Sequence, residues 1–151
     1  MIYLKNIDNM NKENFYYLVD DYSLPTCFCL NITDDCNLAC KYCFVQQKPH
    51  YMTLDTAKRS VDFIMENHKK KEKVYIGEDL GKPNITFFGG EPTLMWERII
   101  VPLVSYIEEK YPNQIGLDMT TNGTLLNEER LIFLKEHNIG ILLSIDGSEK
   151  T

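Results

Sequence analysis

Three cysteines stand at 36, 40 and 43, and the spacing C-x3-C-x2-C places three potential thiolates on one short loop. Thiolates this close can hold three corners of an iron–sulfur cubane and leave the fourth iron without a protein ligand. An open metal position is what cofactor or substrate chemistry requires. Two other chemistries use the same residues. A zinc site could recruit a fourth ligand from Cys27, Cys29 or His50, and Cys40 with Cys43 could act as a redox dithiol. Against the dithiol, a third cysteine adjoins the pair, and the pair does not open a helix directly after a strand. All five cysteines fall between positions 27 and 43, with none downstream to pair with them across a fold. That clustering argues against a disulfide framework. Strand alternation puts Cys27 and Cys29 on one face, where they read as small core residues.

Three further segments combine glycine with polar residues: Gly89-Gly90-Glu91-Pro92, Thr121-Asn122-Gly123 and Ser144-Ile145-Asp146-Gly147. Each alone reads as a turn, with Glu91 a favourable charge ahead of a helix. Their position relative to the predicted elements gives them more meaning. Residues 26–33 are apolar and β-prone and end at Asp34-Asp35. Residues 84–88 (Asn84 to Phe88) form a β-branched and aromatic run stopped by Gly89-Gly90. Residues 115–120 end at Thr121, and residues 139–145 end at Asp146-Gly147. Between these strands lie helical stripes. One carries Leu54, Ala57, Val61, Ile64, Met65 and His68, with Thr53 as N-cap and Lys69 to Lys71 near its carbonyl end. A second spans residues 94–110, with Trp96, Ile99, Ile100, Leu103, Val104 and Ile107 on one face, and must kink or restart at Pro102. A third is capped by Asn127, has Glu128 and Glu129 in its first turn, presents Leu131 and Leu134, and stops at Asn138.

Strands alternating with helices imply right-handed βαβ units and a parallel sheet. In such sheets ligands bind at the carboxyl ends of the strands. The cysteine loop, Gly89 to Pro92, Thr121 to Gly123 and Ser144 to Gly147 all follow strand ends, so all four segments are expected on one rim. Four strands and three helices are too few for a closed eight-fold barrel, which needs roughly 200 residues or more. The chain is then either an open partial sheet or the first part of a longer protein, and the second is the expectation, with residues 1–24 as an N-terminal extension and residues 25–151 as the first part of the α/β domain.

The motif Cys36-x3-Cys40-x-Tyr42-Cys43, with an aromatic before the last cysteine, resembles the signature of the radical S-adenosylmethionine enzymes. Gly89-Gly90-Glu91-Pro92 resembles their second motif. Together with Thr121-Asn122-Gly123-Thr124 and the Ser144 to Gly147 segment, the pattern is most similar to the branch of anaerobic sulfatase-maturating enzymes and peptide maturases with a cysteine-rich C-terminal domain. The resemblance runs from about Cys29 to Gly147. It implies the N-terminal portion of a partial parallel (β/α)6 barrel. It also implies a 4Fe-4S cluster on Cys36, Cys40 and Cys43, with S-adenosylmethionine on its open iron. Tyr42 would meet the adenine through its backbone, and Gly89, Gly90 and Glu91 would meet the ammonium of the methionine part. Asn122, Ser144 and Asp146 would offer hydrogen bonds to the carboxylate or the ribose hydroxyls. The implied activity is reductive cleavage of that cofactor to a 5′-deoxyadenosyl radical that modifies a peptide or protein, with a ferredoxin or flavodoxin as reductant. The same family also admits a small-molecule substrate, and a non-catalytic zinc or iron–sulfur module is the reading outside it. The arginine that often follows the fourth strand in such enzymes, and their further cysteines, are not in this sequence.

Composition narrows the partners. Sixteen basic against twenty-two acidic side chains give a formal net charge of −6, so general attraction to a nucleic-acid backbone is not expected. No apolar run approaches the ~20 residues of a membrane span, and the first residues lack the plan of a signal peptide, so a cytoplasmic protein is expected. Tyr16, Tyr17 and Tyr22 read as packing or a lid, and residues 71–82 as a surface excursion with a possible substrate contact.

Overall fold

The strand Cys27–Thr33 (β2) alternates the side chains of Leu30 and Ile32 to one face and those of Cys29, Asn31 and Thr33 to the other. That alternation repeats in Asn84–Gly89 (β3) and Gly116–Thr121 (β4), where Ile85, Phe87, Leu117 and Met119 are buried. The computed structural model describes residues 2–4, 26–45, 48–74 and 80–147. In it these strands, with Ile2–Leu4 (β1) and Ile139–Leu143 (β5), form one sheet in the order β1-β2-β3-β4-β5, parallel throughout. Sequential order with parallel pairing is the arrangement of a barrel wall. The four expected strands are present, displaced at their ends by one or two residues. β1 is an addition, inside the segment expected to be only an extension. The remainder of that extension, with its tyrosines, lies outside the described residues.

Leu54–Val74 (α1) is capped as expected: the Thr53 hydroxyl accepts from the backbone N–H of Thr56 at 3.1 Å. It runs farther than the lysine cluster suggested and takes up the first part of the 71–82 segment; residues 75–79 lie outside the described set. After β3, the chain makes a 3-10 turn at Pro92–Met95 and a π turn at Trp96–Ile100, then the helix Val101–Lys110 (α2). The restart expected at Pro102 is therefore real. Proline sits in the first turn of α2, where its missing N–H has no partner to lose. Ala57, Val61, Ile64 and Met65 of α1 and Ile99, Ile100, Leu103, Val104 and Ile107 around α2 meet the apolar face of the sheet in one core. Each fully buried Val, Leu, Ile or Met among them contributes about 1.5–3 kcal/mol.

Glu128–Glu136 (α3) is capped by Asn127, whose side chain accepts from the Arg130 N–H at 2.9 Å, and it stops at Asn138 with φ 51°. Only Leu134 of its expected apolar stripe is buried. Leu131 is exposed; among the described residues β5 is the last strand of the sheet on that side. No helix among the described residues is long and apolar enough to cross a membrane.

The two core helices are tied by Asp62 of α1. It accepts from the Tyr106 hydroxyl at 2.6 Å, the Tyr111 hydroxyl at 2.8 Å and Lys110 Nζ at 2.9 Å. Partial burial pushes its pKa up, but the hydrogen bonds from Tyr106, Lys110 and Tyr111 outweigh it and hold the carboxyl below the ordinary aspartate range. A carboxyl depressed by folding stabilises fully above its unfolded pKa and loses that contribution as pH falls through the folded value. Acid titration of the thermal midpoint should therefore show a steeper fall below the ordinary aspartate range in the parent protein than in Asp62→Asn; parallel curves would remove the clamp from the account.

Candidate cofactor site at the strand tips

The cysteine loop begins where β2 ends, and it is closed at its neck by the chain that returns from it. Thr33 pairs antiparallel with Tyr51, the Asp34 N–H donates to the His50 carbonyl at 3.0 Å, and the Met52 N–H donates to the Ile32 carbonyl at 2.9 Å. Inside that neck the Asp35 carboxylate accepts from the Tyr51 hydroxyl at 2.7 Å and from the Cys36 N–H at 3.0 Å. Hydrogen bonding to Asp35 pushes the Tyr51 phenol up, which keeps it a donor. The loop thus has a fixed base while its tip remains open: Cys36 is half-buried, and Cys40 and Cys43 are exposed.

β3 reaches the same base by close backbone approach. The Gly90 N–H donates to the Thr33 carbonyl at 2.9 Å and the Glu91 N–H to the Asp35 carbonyl at 2.8 Å. A side chain at Gly89, where φ is 147°, would put its Cβ 2.0 Å from the Thr33 oxygen, and one at Gly90 would sit 2.2 Å from the Asp35 oxygen. These glycines do more than turn the chain; they let β3 lie against the neck of the cysteine loop.

A cavity of about 460 Å³, within the range of small-molecule sites, opens at this rim. Cys36, Cys40, Tyr42 and Cys43 line it, and so do Gly89 and Gly90. Asn122, Ser144 and Asp146 line it as well. Phe44, Val45, Phe88 and Thr120 also face it and were not anticipated. Phe88 and Thr120 carried a usable signal, as the last open-face positions of β3 and β4.

Glu91 is not on the wall. Its side chain is 1% exposed, and Oε1 accepts from the N–H and hydroxyl of Thr93 and from the Thr121 hydroxyl, while Oε2 accepts from the Asn122 N–H at 2.8 Å. The resemblance implies a contact between this carboxylate and a cofactor ammonium; here the carboxylate is directed into the protein. Four donors of the protein already surround it, and it joins the β3 turn to the β4 turn from behind the cavity.

Cys29 is buried as expected, and burial pushes its thiol up, away from the thiolate form a metal prefers. Cys27 is exposed, contrary to the core reading. It begins β2, six residues or roughly 20 Å of strand from the Thr33 tip. Neither lies at the rim, so neither completes a metal site with the loop. His50 sits at the neck, with Nδ1 3.8 Å from the Asp34 carboxylate. Among the described residues no three His, Cys, Asp or Glu side chains are gathered tightly enough for a single metal ion. A cubane asks for something else: one thiolate on each of three irons, spread around a cluster. Three free cysteines on one cavity wall fit that donor set. Cys36 Sγ already accepts from the Leu38 N–H at 3.4 Å and lies 3.9 Å from Asn122 Nδ2, contacts that suit a thiolate.

Comparison with known proteins agrees with this geometry. The family model described as the Radical SAM superfamily matches residues 30–151. The chain is 31% identical over 117 residues to a cysteine-type anaerobic sulfatase-maturating enzyme of Clostridium perfringens, covering 76% of this chain and 31% of that protein. It is 32% identical over 124 residues to the Fe-coproporphyrin III synthase of Methanosarcina barkeri, covering 80% and 27%. Among solved structures, native anSMEcpe with bound AdoMet and Cp18Cys peptide superposes with a TM-score of 0.64 at 26% identity, over 82% of this chain and 32% of that one. The chain therefore spans about a third of the length of the relatives it matches. The fold is that of part of a radical SAM barrel.

Proposed function

The chain belongs to the radical SAM superfamily, and from that premise we propose that Cys36, Cys40 and Cys43 hold a 4Fe-4S cluster at which S-adenosylmethionine is cleaved to modify a peptide or protein. The observation that carries the reading is the shared cavity: the three thiols and the tips of β3, β4 and β5 line one opening. When bound, the cluster supplies one electron to S-adenosylmethionine, giving methionine and a 5′-deoxyadenosyl radical that takes a hydrogen atom from the substrate.

The protein's own residues bind and orient. Gly89 and Gly90 bring bare backbone to the cavity for the methionine end of the cofactor. Ser144 and Asp146 provide polar groups for its carboxylate and ribose hydroxyls, and the backbone at Tyr42 faces its adenine. Phe44, Val45 and Phe88 give the wall apolar character. A ferredoxin or flavodoxin is the expected electron donor. A peptide substrate is supported by the similarity to the sulfatase-maturating enzyme and to the peptide-bound structure. A small molecule is the second reading, supported by the similarity to the coproporphyrin synthase.

The test is product analysis with the full-length protein, reconstituted without oxygen and reduced with dithionite. Formation of 5′-deoxyadenosine and methionine in equal amounts is expected, accelerated by the cognate substrate. Absence of both from a protein that carries its cluster would overturn the assignment.

A further inference from the structure

Asn122 lines the cavity, yet its side chain is fully engaged inside the protein. Its Oδ1 accepts from the N–H of Thr124 at 3.0 Å and from the Thr124 hydroxyl at 2.6 Å. A backbone N–H can only donate, so this contact fixes which end of the amide is oxygen and turns Nδ2 toward the cysteine loop. There Nδ2 donates to Asn37 Oδ1 at 3.0 Å and lies 3.9 Å from Cys36 Sγ, one acceptor for each of its two hydrogens. Asn37 Nδ2 in turn donates to the Thr124 hydroxyl oxygen at 2.7 Å. Three side chains thus close a ring in which every donor has an acceptor. The ring clips the start of the cysteine loop to the turn after β4, eighty-six residues apart at the Cys36 contact. The Asn122 N–H is held independently by Glu91.

We propose that Asn122 is a positioning residue for the cluster and not a direct ligand of S-adenosylmethionine: its amide donates to the Cys36 sulfur and raises the cluster's reduction potential. The proposal rests on Cys36 being a cluster ligand, as argued above. A hydrogen bond to a ligating sulfur stabilises the more negative, reduced state, and such bonds are among the determinants of cluster potential. The amide is aimed by the ring with Asn37 and Thr124, so anything that opens the ring weakens the bond. The same contact sets the distance between the first cysteine and the β4 tip, two walls of the cofactor cavity.

The experiment is an EPR-monitored redox titration of the S-adenosylmethionine-responsive cluster in the full-length protein, with iron and sulfide measured on each sample. In Asn122→Ala, the ratio of reduced to oxidised cluster at a fixed potential should fall by about threefold to tenfold, tenfold corresponding to about 59 mV for a one-electron couple. Thr124→Val, which opens the ring without touching the amide, should fall in the same direction by less, and Thr124→Ser should match the parent. An unchanged midpoint in Asn122→Ala with its cluster in place overturns the proposal. If Asn122→Ala cannot hold iron, an unchanged midpoint in Thr124→Val overturns it and a fall supports it. A parent protein that assembles no such cluster removes the functional reading itself, and the proposal with it.

Discussion

Cys40→Ala in the full-length protein should lose the cluster that responds to S-adenosylmethionine, while Cys29→Ala should keep it. The expected contrast is the largest the site allows. Cys40 is exposed on the cavity wall at the loop tip, where no other thiol can replace it, because Cys27 and Cys29 lie down the strand. With one corner lost, the cubane keeps only two protein ligands and should not survive reconstitution; iron and sulfide should drop by about one cluster, or four of each, per chain. Cys29→Ala removes a buried sulfur from the open face of β2, a small volume change that costs roughly 1 kcal/mol and leaves the loop intact. Iron lost in both variants would overturn the separation of the five cysteines into ligands and packing residues.

The second large effect is at Glu91. In Glu91→Gln the amide oxygen can replace Oε1 toward Thr93 and Thr121, but the amide nitrogen then meets the Asn122 N–H, donor against donor. At 1% exposure no water can mediate. Losing a bond to a carboxylate and leaving a buried N–H unpaired should cost about 3 kcal/mol. A lower thermal midpoint is expected, together with slower cleavage of S-adenosylmethionine as the β4 turn loosens. The cluster should remain, since no cysteine is touched. Midpoint and cleavage rate both equal to the parent's would make the buried carboxylate dispensable.

The site was legible because chain breakers mark strand tips and parallel βαβ units gather the tips on one rim. From the residue types alone Cys36, Cys40, Cys43, Gly89, Gly90, Asn122, Ser144 and Asp146 fall together, and the cavity unites them. What the sequence withheld depended on contacts distant along the chain. The identity of Glu91 was plain, but the direction of its carboxylate was set by Thr121 and Asn122, thirty residues on. Alternation gave the face of Cys27 but not its depth, since burial depends on what covers the end of the strand. β1 has three residues, too few for a period to register, and pairs with Phe28 to Leu30 of β2. The π turn before Pro102, which buries Trp96, Ile99 and Ile100, had no signal in the helical period.

The decisive measurement is the EPR spectrum of the reduced full-length protein before and after S-adenosylmethionine is added. A cluster held by Cys36, Cys40 and Cys43 with one iron open should change its g-values when the cofactor binds, and that response should vanish when any one of the three is replaced by alanine. A spectrum indifferent to the cofactor, or bound zinc without sulfide, would contradict the account.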